Sequence, residues 1–331
     1  MKVLNQQELK SIEYFFKLNQ TQLLKAMKKY LKGLYEEIYA SNKYIVAVGE
    51  IPIALVAHLD TVFKVPPQDI YYDKAKNVMW SPDGLGADDR AGVYAIVQIL
   101  KAGFRPTVIF TTDEELGCVG SNDLIGKMPE APTELKYIVQ LDRRGSNDCV
   151  FYDCFNSDFN KYVEGFGFVT NFGSFSDISL LCPMWGVAGV NLSIGYYNEH
   201  SVSEILNIGQ MFDTIKKVKN MLIFSDDADN FKYISKYYPK PKSADLAYGW
   251  GYVDDDEWLS DASSLHRWCQ GCGYLDYEYN MLPVKMPNGN IEYFCIDCLA
   301  ENKNIYWCEK CGAAFLEKNN KSKYCEDCRG K

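Results

Sequence analysis

IPIALVAHLD, residues 51–60, is the stretch on which the fold turns. Its apolar run is nearly unbroken, as expected of a strand buried on both faces, and it stops at His58 and Asp60. Three further runs behave alike. PTVIFTTDEELG (106–117) ends in Glu114 and Glu115, KYIVQLD (136–142) ends in Asp142, and GVAGVNLSIGYYNEH (186–200) ends in His200. Between the first two, PDGLGADDRAGVYAIVQILKAG (82–103) reads as a glycine-rich loop entering a helix. Asp88 and Asp89 fall near the helix start, and Gly103 is a stop. Strands alternating with helices predict an α/β fold, a three-layer αβα sandwich around a mixed, mostly parallel sheet. The polar clusters follow strand ends, the edge where open α/β sheets bind ligands.

Outward from this core, residues 4–18 and 21–39 carry apolar residues at helical spacing, with Asn19 or Thr21 as cap of the second helix. YIVAV (44–48) and CVFYDC (149–154) read as strands, and 157–165 and 177–182 as helical stretches, Asp177 capping the latter. Residues 201–222 read as one amphipathic helix. Composition then shifts. Residues 225–264 hold nine Asp or Glu against four Lys or Arg, with Pro239, Pro241, Trp250 and Trp258. The expected organisation is a catalytic domain over 1–224, an acidic aromatic linker over 225–264 and a cysteine-punctuated module over 265–331.

The chain has 331 residues and a formal net charge of -9, so a global basic field for nucleic acid is absent. No run approaches the length of a membrane-spanning helix and the first residues lack a signal-peptide core, so a cytoplasmic setting is expected. Twelve Cys in such a setting point to metal binding over disulfides. Histidine is scarce: only His58, His200 and His266 occur.

The acidic and His residues arrive as His58-Leu59-Asp60, Asp88-Asp89, Glu114-Glu115, Asp142 and His200. Two zinc ions held close together need imidazole nitrogens, carboxylate oxygens and one carboxylate to bridge them. An adjacent Glu pair can give one ligand and one free base, and an Asp two residues after a His can orient its ring. Singly, each pair is more ordinary: an Asp-Asp at a helix start is usually a cap, and a Glu-Glu is usually solvated surface.

AHLDTV (57–62), GADDRAG (86–92), TTDEELG (111–117), LDR (141–143) and NEH (198–200) together resemble the successive motifs of the co-catalytic dinuclear-zinc exopeptidases. That group includes peptidase T, the aminoacylase-type peptidases and the bacterial leucyl aminopeptidases. The resemblance implies that His58 and Asp142 complete one zinc site and Glu115 and His200 the other. Asp88 would bridge them, Glu114 would serve as general base and Asp60 would hold His58. It implies two catalytic Zn2+, with Mn2+ or Co2+ as alternatives. Only 57 residues separate Asp142 from His200, too few for the lid that peptidase T and the aminoacylases insert there, so a lidless form is expected. Tyr196 or Tyr197 is a candidate oxyanion donor.

In the tail, Cys269-x2-Cys272 precedes Cys295-x2-Cys298, and Cys308-x2-Cys311 precedes Cys325-x2-Cys328. Two CxxC knuckles make a tetrahedral four-sulfur site, so two structural Zn2+ in zinc-ribbon-like units are expected, paired sequentially or crossed. Nine Lys or Arg balance nine Asp or Glu over 265–331, which favours protein contact over nucleic acid. His266 is incidental, and Cys118, Cys149, Cys154 and Cys182 are expected in the core.

These features predict a metallo-exopeptidase acting on a peptide or acyl-amino-acid substrate, an aminopeptidase first. Two readings stay open: an N-acyl amino acid deacylase or carboxypeptidase, and an inactive adaptor that binds protein through its ribbons.

Overall fold

The computed structural model describes residues 3–235 and, in the tail, 266–268, 270, 275–277, 281–287, 290–295, 305–308, 314–316, 324 and 328. The chain divides into two compact units, Met1–Ala247 and Tyr248–Lys331.

The first unit opens with helices α1 (Gln6–Phe16) and α2 (Gln20–Lys32). Asn5 with Glu8, and Asn19 with Gln22, form reciprocal capping boxes that satisfy the first free amides of each helix. Asn19, not Thr21, is thus the cap of α2. That helix stops at Gly33, short of the expected residue 39, because the chain turns into strand β1 (Ile38–Ala40) to pair with β2 (Tyr44–Ala47).

Strand β3 (Ile51–His58) is the apolar run that ends at the first histidine. After it come β4 (Tyr71–Asp73), β5 (Val78–Trp80) and α3 (Ala87–Lys101), then β6 (Pro106–Thr111), α4 (Val119–Lys127) and β7 (Tyr137–Arg143). Next are β8 (Asp148–Val150), α5 (Ser157–Glu164), β9 (Val169–Thr170), α6 (Ile178–Trp185) and β10 (Gly189–Ser193). The unit closes with β11 (Tyr196–Tyr197), β12 (Ile205–Asn207) and α7 (Ile208–Ile223).

The main sheet runs β1-β2-β6-β3-β7-β10-β8-β9. Its centre, β6-β3-β7-β10, is parallel, while β2 joins β6 and β8 joins β10 antiparallel. The sheet is therefore mixed with a parallel core, as the apolar runs predict. Alternate residues feed opposite faces: Ile53, Leu55 and Ala57 pack with α1, α3 and α7, whereas Ala54 and Val56 pack with α4 and α6. Cys118, Cys149, Cys154 and Cys182 are buried, as expected of core thiols.

A second sheet, β11-β12-β5-β4, was not foreseen. Residues 201–222 are not one helix: Ile205–Asn207 pair with Val78–Trp80, and α7 starts only at Ile208, capped by Asn207. Cross-strand pairing overrides helical periodicity there. Residues 225–235 pack on the first unit, where Phe231 is buried and exchanges backbone hydrogen bonds with Ala188 and Lys136. Trp250 and Trp258 lie outside the described residues.

In the second unit, β13 (His266–Trp268) and β14 (Leu275–Tyr277) form a hairpin. Strands β15 (Met281–Lys285), β16 (Ile291–Cys295), β17 (Ile305–Trp307) and β18 (Ala314–Leu316) form a sheet in the order β16-β15-β18-β17. Among the described residues, no helix is long and apolar enough to cross a membrane.

Candidate active site

The polar ends of β3, β6 and β7, the start of α3 and the β11–β12 loop meet at one edge of the main sheet. His58 closes β3 and is 1% exposed. Its Nε2 lies 3.1 Å from Asp88 Oδ1 and 3.5 Å from Asp142 Oδ1. His200, on the β11–β12 loop, places its Nε2 3.3 Å from Asp88 Oδ2 and 3.1 Å from Glu115 Oε2. Asp88 thus turns one oxygen to each of two His–carboxylate pairs. His58, Asp88 and Asp142 offer ligand atoms within 4.8 Å of one another, and so do Asp88, Glu115 and His200.

The donor set fits two divalent cations. Two imidazoles and three carboxylates are the ligand types such ions take, and one carboxylate spans both positions. Electrostatics agree. Burial disfavours a charge on His58, but Asp142, Asp60 and Asp88 outweigh it and hold the ring's pKa well above the usual range. His200 is pushed up to about 10 by its bonds to Asp88 and Glu115. A cation at each position would offset the same carboxylates. Glu115 Oε1 is buried without a hydrogen-bond partner, an orphan that a cation would satisfy.

His58 and Asp142 are held from behind. Asp60 Oδ1 lies 3.3 Å from His58 Nδ1, and its two oxygens accept the Glu114 and Glu115 amides, each at 3.1 Å. Burial of Asp60 opposes its charge, yet His58 and those amides hold its pKa below the usual value. One side chain therefore fixes the first His ring and the backbone of the Glu pair. The Asp142 amide donates to Asn191, and its Oδ2 accepts from Ser176 and Gln140, leaving Oδ1 towards His58. Asp89 is fully buried and accepts from the His58 and Gly92 amides, tying β3 to α3. The Asp88–Asp89 peptide is cis.

Glu114 forms no ion pair with either His ring, although it offers an oxygen within 4.8 Å of ligand atoms of His58 and Glu115. Its Oε1 accepts from the Cys118 thiol at 3.6 Å, and burial pushes its pKa up to about 9, with Asp142, Asp177 and Glu115 adding to the rise against His58. It is the free carboxylate beside the ligand cluster.

Three outcomes depart from the residue reading. Asp177 occupies the cap position of α6 but does not cap it: its backbone is helical, and its buried carboxylate accepts from Thr111 and Ser121. Side-chain capping needs the extended geometry that Asp177 lacks. Tyr197 donates to Gln210, away from the cluster, while Tyr196 reaches Asp142 Oδ1 at 3.3 Å. Glu204 was overlooked. It is 1% exposed, and its carboxylate accepts the Ala87 and Asp88 amides at 2.9 and 3.1 Å, capping α3 where Gly86 offers no side chain. Its partners lie over a hundred residues away, so spacing carried no trace of it.

Among the tail cysteines, Cys308 is buried beside Phe315, with Tyr306 and Cys328 packed against them. Cys269, Cys272, Cys298, Cys311 and Cys325, and the side chain of Cys295, lie outside the described residues.

Residues 43–164 match the profile of peptidase family M28. No curated protein matches the chain in sequence. The fold is similar to that of aminopeptidase PepT from Bacillus cereus, at 13% identity and a TM-score of 0.54, covering 68% of this chain and 99% of that one. A tripeptidase from Staphylococcus aureus gives 12%, 0.55, 68% and 99%. An aminopeptidase from the archaeon Desulfurococcus kamchatkensis gives 13%, 0.51, 68% and 96%. The stretch that matches the M28 profile carries His58, Asp88, Glu114, Glu115 and Asp142, and the fold around it is similar to that of these solved peptidases.

Proposed function

We propose that the protein is a two-metal exopeptidase, an aminopeptidase or small-peptide hydrolase. The observation that carries this reading is Asp88, whose two oxygens face two separate His–carboxylate pairs. His58 and Asp142 would hold one ion, His200 and Glu115 the other, with Asp88 shared; zinc suits these donors, and Mn2+ or Co2+ would also fit. When bound, such a pair polarises a scissile carbonyl and lowers the pKa of an attacking water.

The chain's own residues supply the rest. With cations offsetting the acidic neighbours that raise its pKa, the half-buried Glu114 carboxylate would accept a proton from the water and return it to the leaving nitrogen. Asp60 keeps the His58 ring oriented and holds the backbone that aims Glu114. Ser176 and Gln140 occupy one oxygen of Asp142 and leave the other, which also accepts from Tyr196, towards His58.

In the tail, eight cysteines would hold two structural zinc ions, paired sequentially. Two contacts favour that pairing over a crossed one. Cys308 and Cys328, the outer members of the second set, share one cluster. The Gln270 amide, within the first knuckle, donates to Tyr293 on the strand that ends at Cys295.

The test is Glu114→Gln, assayed on peptides with free or blocked N-termini. Hydrolysis should fall at least ~100-fold with bound metal retained, as loss of a general base requires. Undiminished turnover would remove Glu114 from the mechanism, and cleavage of blocked peptides alone would replace the aminopeptidase by a deacylase or carboxypeptidase.

A further inference from the structure

Beyond Asp60 and Glu115 the ligand cluster adjoins a cavity of about 550 Å³. Its walls come from the α1–α2 turn (Phe16, Leu18), from the loop after β3 (Val62, Phe63) and from Leu116. Arg90, in the first turn of α3, also lines it. This residue is only 4% exposed, and its Nε and Nη1 are buried without a hydrogen-bond partner. Buried guanidinium groups rarely go without acceptors, and each unmade bond is costly.

The neighbouring acids do not fill the gap. Asp60 is taken up by His58 and the Glu114 and Glu115 amides, and Asp89 by the His58 and Gly92 amides. Asp113 is held by Lys43 at 2.6 Å and by Gln20. Glu115 faces His200. Two cations line the cavity, Arg90 inside, beside Asp60 and Asp89, and the exposed Lys64; among the lining carboxylates Glu115 keeps its Oε1 without a hydrogen-bond partner. A substrate carboxylate placed against Arg90 and Lys64 would meet two cations and give the Arg90 guanidinium an acceptor.

We propose that this cavity is a carboxylate subsite built on Arg90 and Lys64, selecting peptides with a negative charge close to the cleaved bond. The charge comes from an acidic side chain or from the C-terminus of a short peptide. This inference rests on the peptidase reading, whose failure must be told apart from its own.

Four peptides of one sequence decide it: Glu or Gln next to the scissile bond, each with a free or amidated C-terminus. The metal-loaded protein should favour the carboxylate members at least tenfold in kcat/KM, mainly through KM. A split between Glu and Gln identifies a side chain; a split between acid and amide identifies the C-terminus. Arg90→Met should bring the ratio close to one, and Arg90→Lys should restore part of it. Lys64→Glu, at an exposed position that folding tolerates, should lower the ratio in the same direction. In a second arm, calorimetry follows glutarate binding to the Glu114→Gln protein, expected to weaken at least tenfold with Arg90→Met or Lys64→Glu added. Equal rates on all four peptides, or glutarate binding indifferent to both cations, overturns the subsite. If no peptide is cleaved, the peptidase reading fails and the glutarate arm alone decides the cavity.

Discussion

Glu204 shows what a single side chain does here. Helix α3 begins at Gly86, which has no side chain to cap it, and the first two amides would be orphaned in a buried setting. A carboxylate from a loop over a hundred residues downstream takes both. Burial pushes that carboxyl up to about 7, so the bonds to Ala87 and Asp88 are made against a desolvation cost. Glu204→Ala leaves both amides without an acceptor, a loss of about 1–3 kcal/mol per group. Because Asp88 is the proposed shared ligand, metal affinity should also fall, by ~10–100-fold. Thermal unfolding with and without zinc, together with a competitive metal titration, checks both; unchanged metal affinity would show that the cap does not position Asp88. At this scale the sequence was informative where partners are near neighbours. His58 with Asp60, and Glu114 with Glu115, are legible as short spacings, and the structure brings them together. Glu204 and the hydroxyl cradle around Asp177 depend on residues far apart in the chain, which spacing does not record.

Among elements, α3 is the most tightly fitted. It packs between β3 and β7 on one side and α1 and α7 on the other, with Gly92 at the closest approach. A Cβ on Gly92 would come within 2.2 Å of the Leu141 carbonyl oxygen and 2.3 Å of Asp89 Oδ1. Backbone cannot yield as a flexible side chain does, so Gly92→Ala should destabilise the protein by about 1–3 kcal/mol. Gly126, in α4, provides the control: a Cβ there meets nothing within 4 Å, so Gly126→Ala should be neutral or stabilise by up to ~1 kcal/mol. Urea unfolding of the pair measures the contrast, and equal effects would contradict the packing described. Strands were the legible elements, because burial on both faces leaves continuous apolar runs. The start of α7 was not. Ile205 and Leu206 satisfy a helical period, yet pairing with β5 and the Asn207 cap displace the helix start to Ile208.

Across the whole molecule, the proposed metal sites fall in two separate units. The cysteine pairs were plain in the sequence, but the sheet order β16-β15-β18-β17 was not, since it depends on a parallel pairing between distant hairpins. The position of β6 between β2 and β3 was hidden for the same reason. The proposed architecture predicts about four zinc ions per chain by elemental analysis. A chelator should strip the two at His58 and His200 first, with loss of hydrolysis. Replacing Cys308 and Cys328 together by Ser should remove one of the tightly held pair. A protein with two ions, both lost when the cysteines of both tail sets are replaced and neither lost on replacing His58 or His200, would refute the dinuclear centre.

One asymmetry of the ligand cluster sets how such a centre would fill and empty. The side chains of His58, Asp88, Asp142 and Glu115 are 1%, 9%, 7% and 11% exposed, whereas that of His200 is 53% exposed on a loop. Water reaches one of the two positions far more readily than the other. On the two-metal reading, the position built from His58 and Asp142 is the resident one, slow to exchange. The position completed by His200 is the vestibule, filled last and emptied first. A half-loaded protein is then a natural state under metal scarcity, and ion supply, ahead of protein abundance, would set how much of the chain is competent.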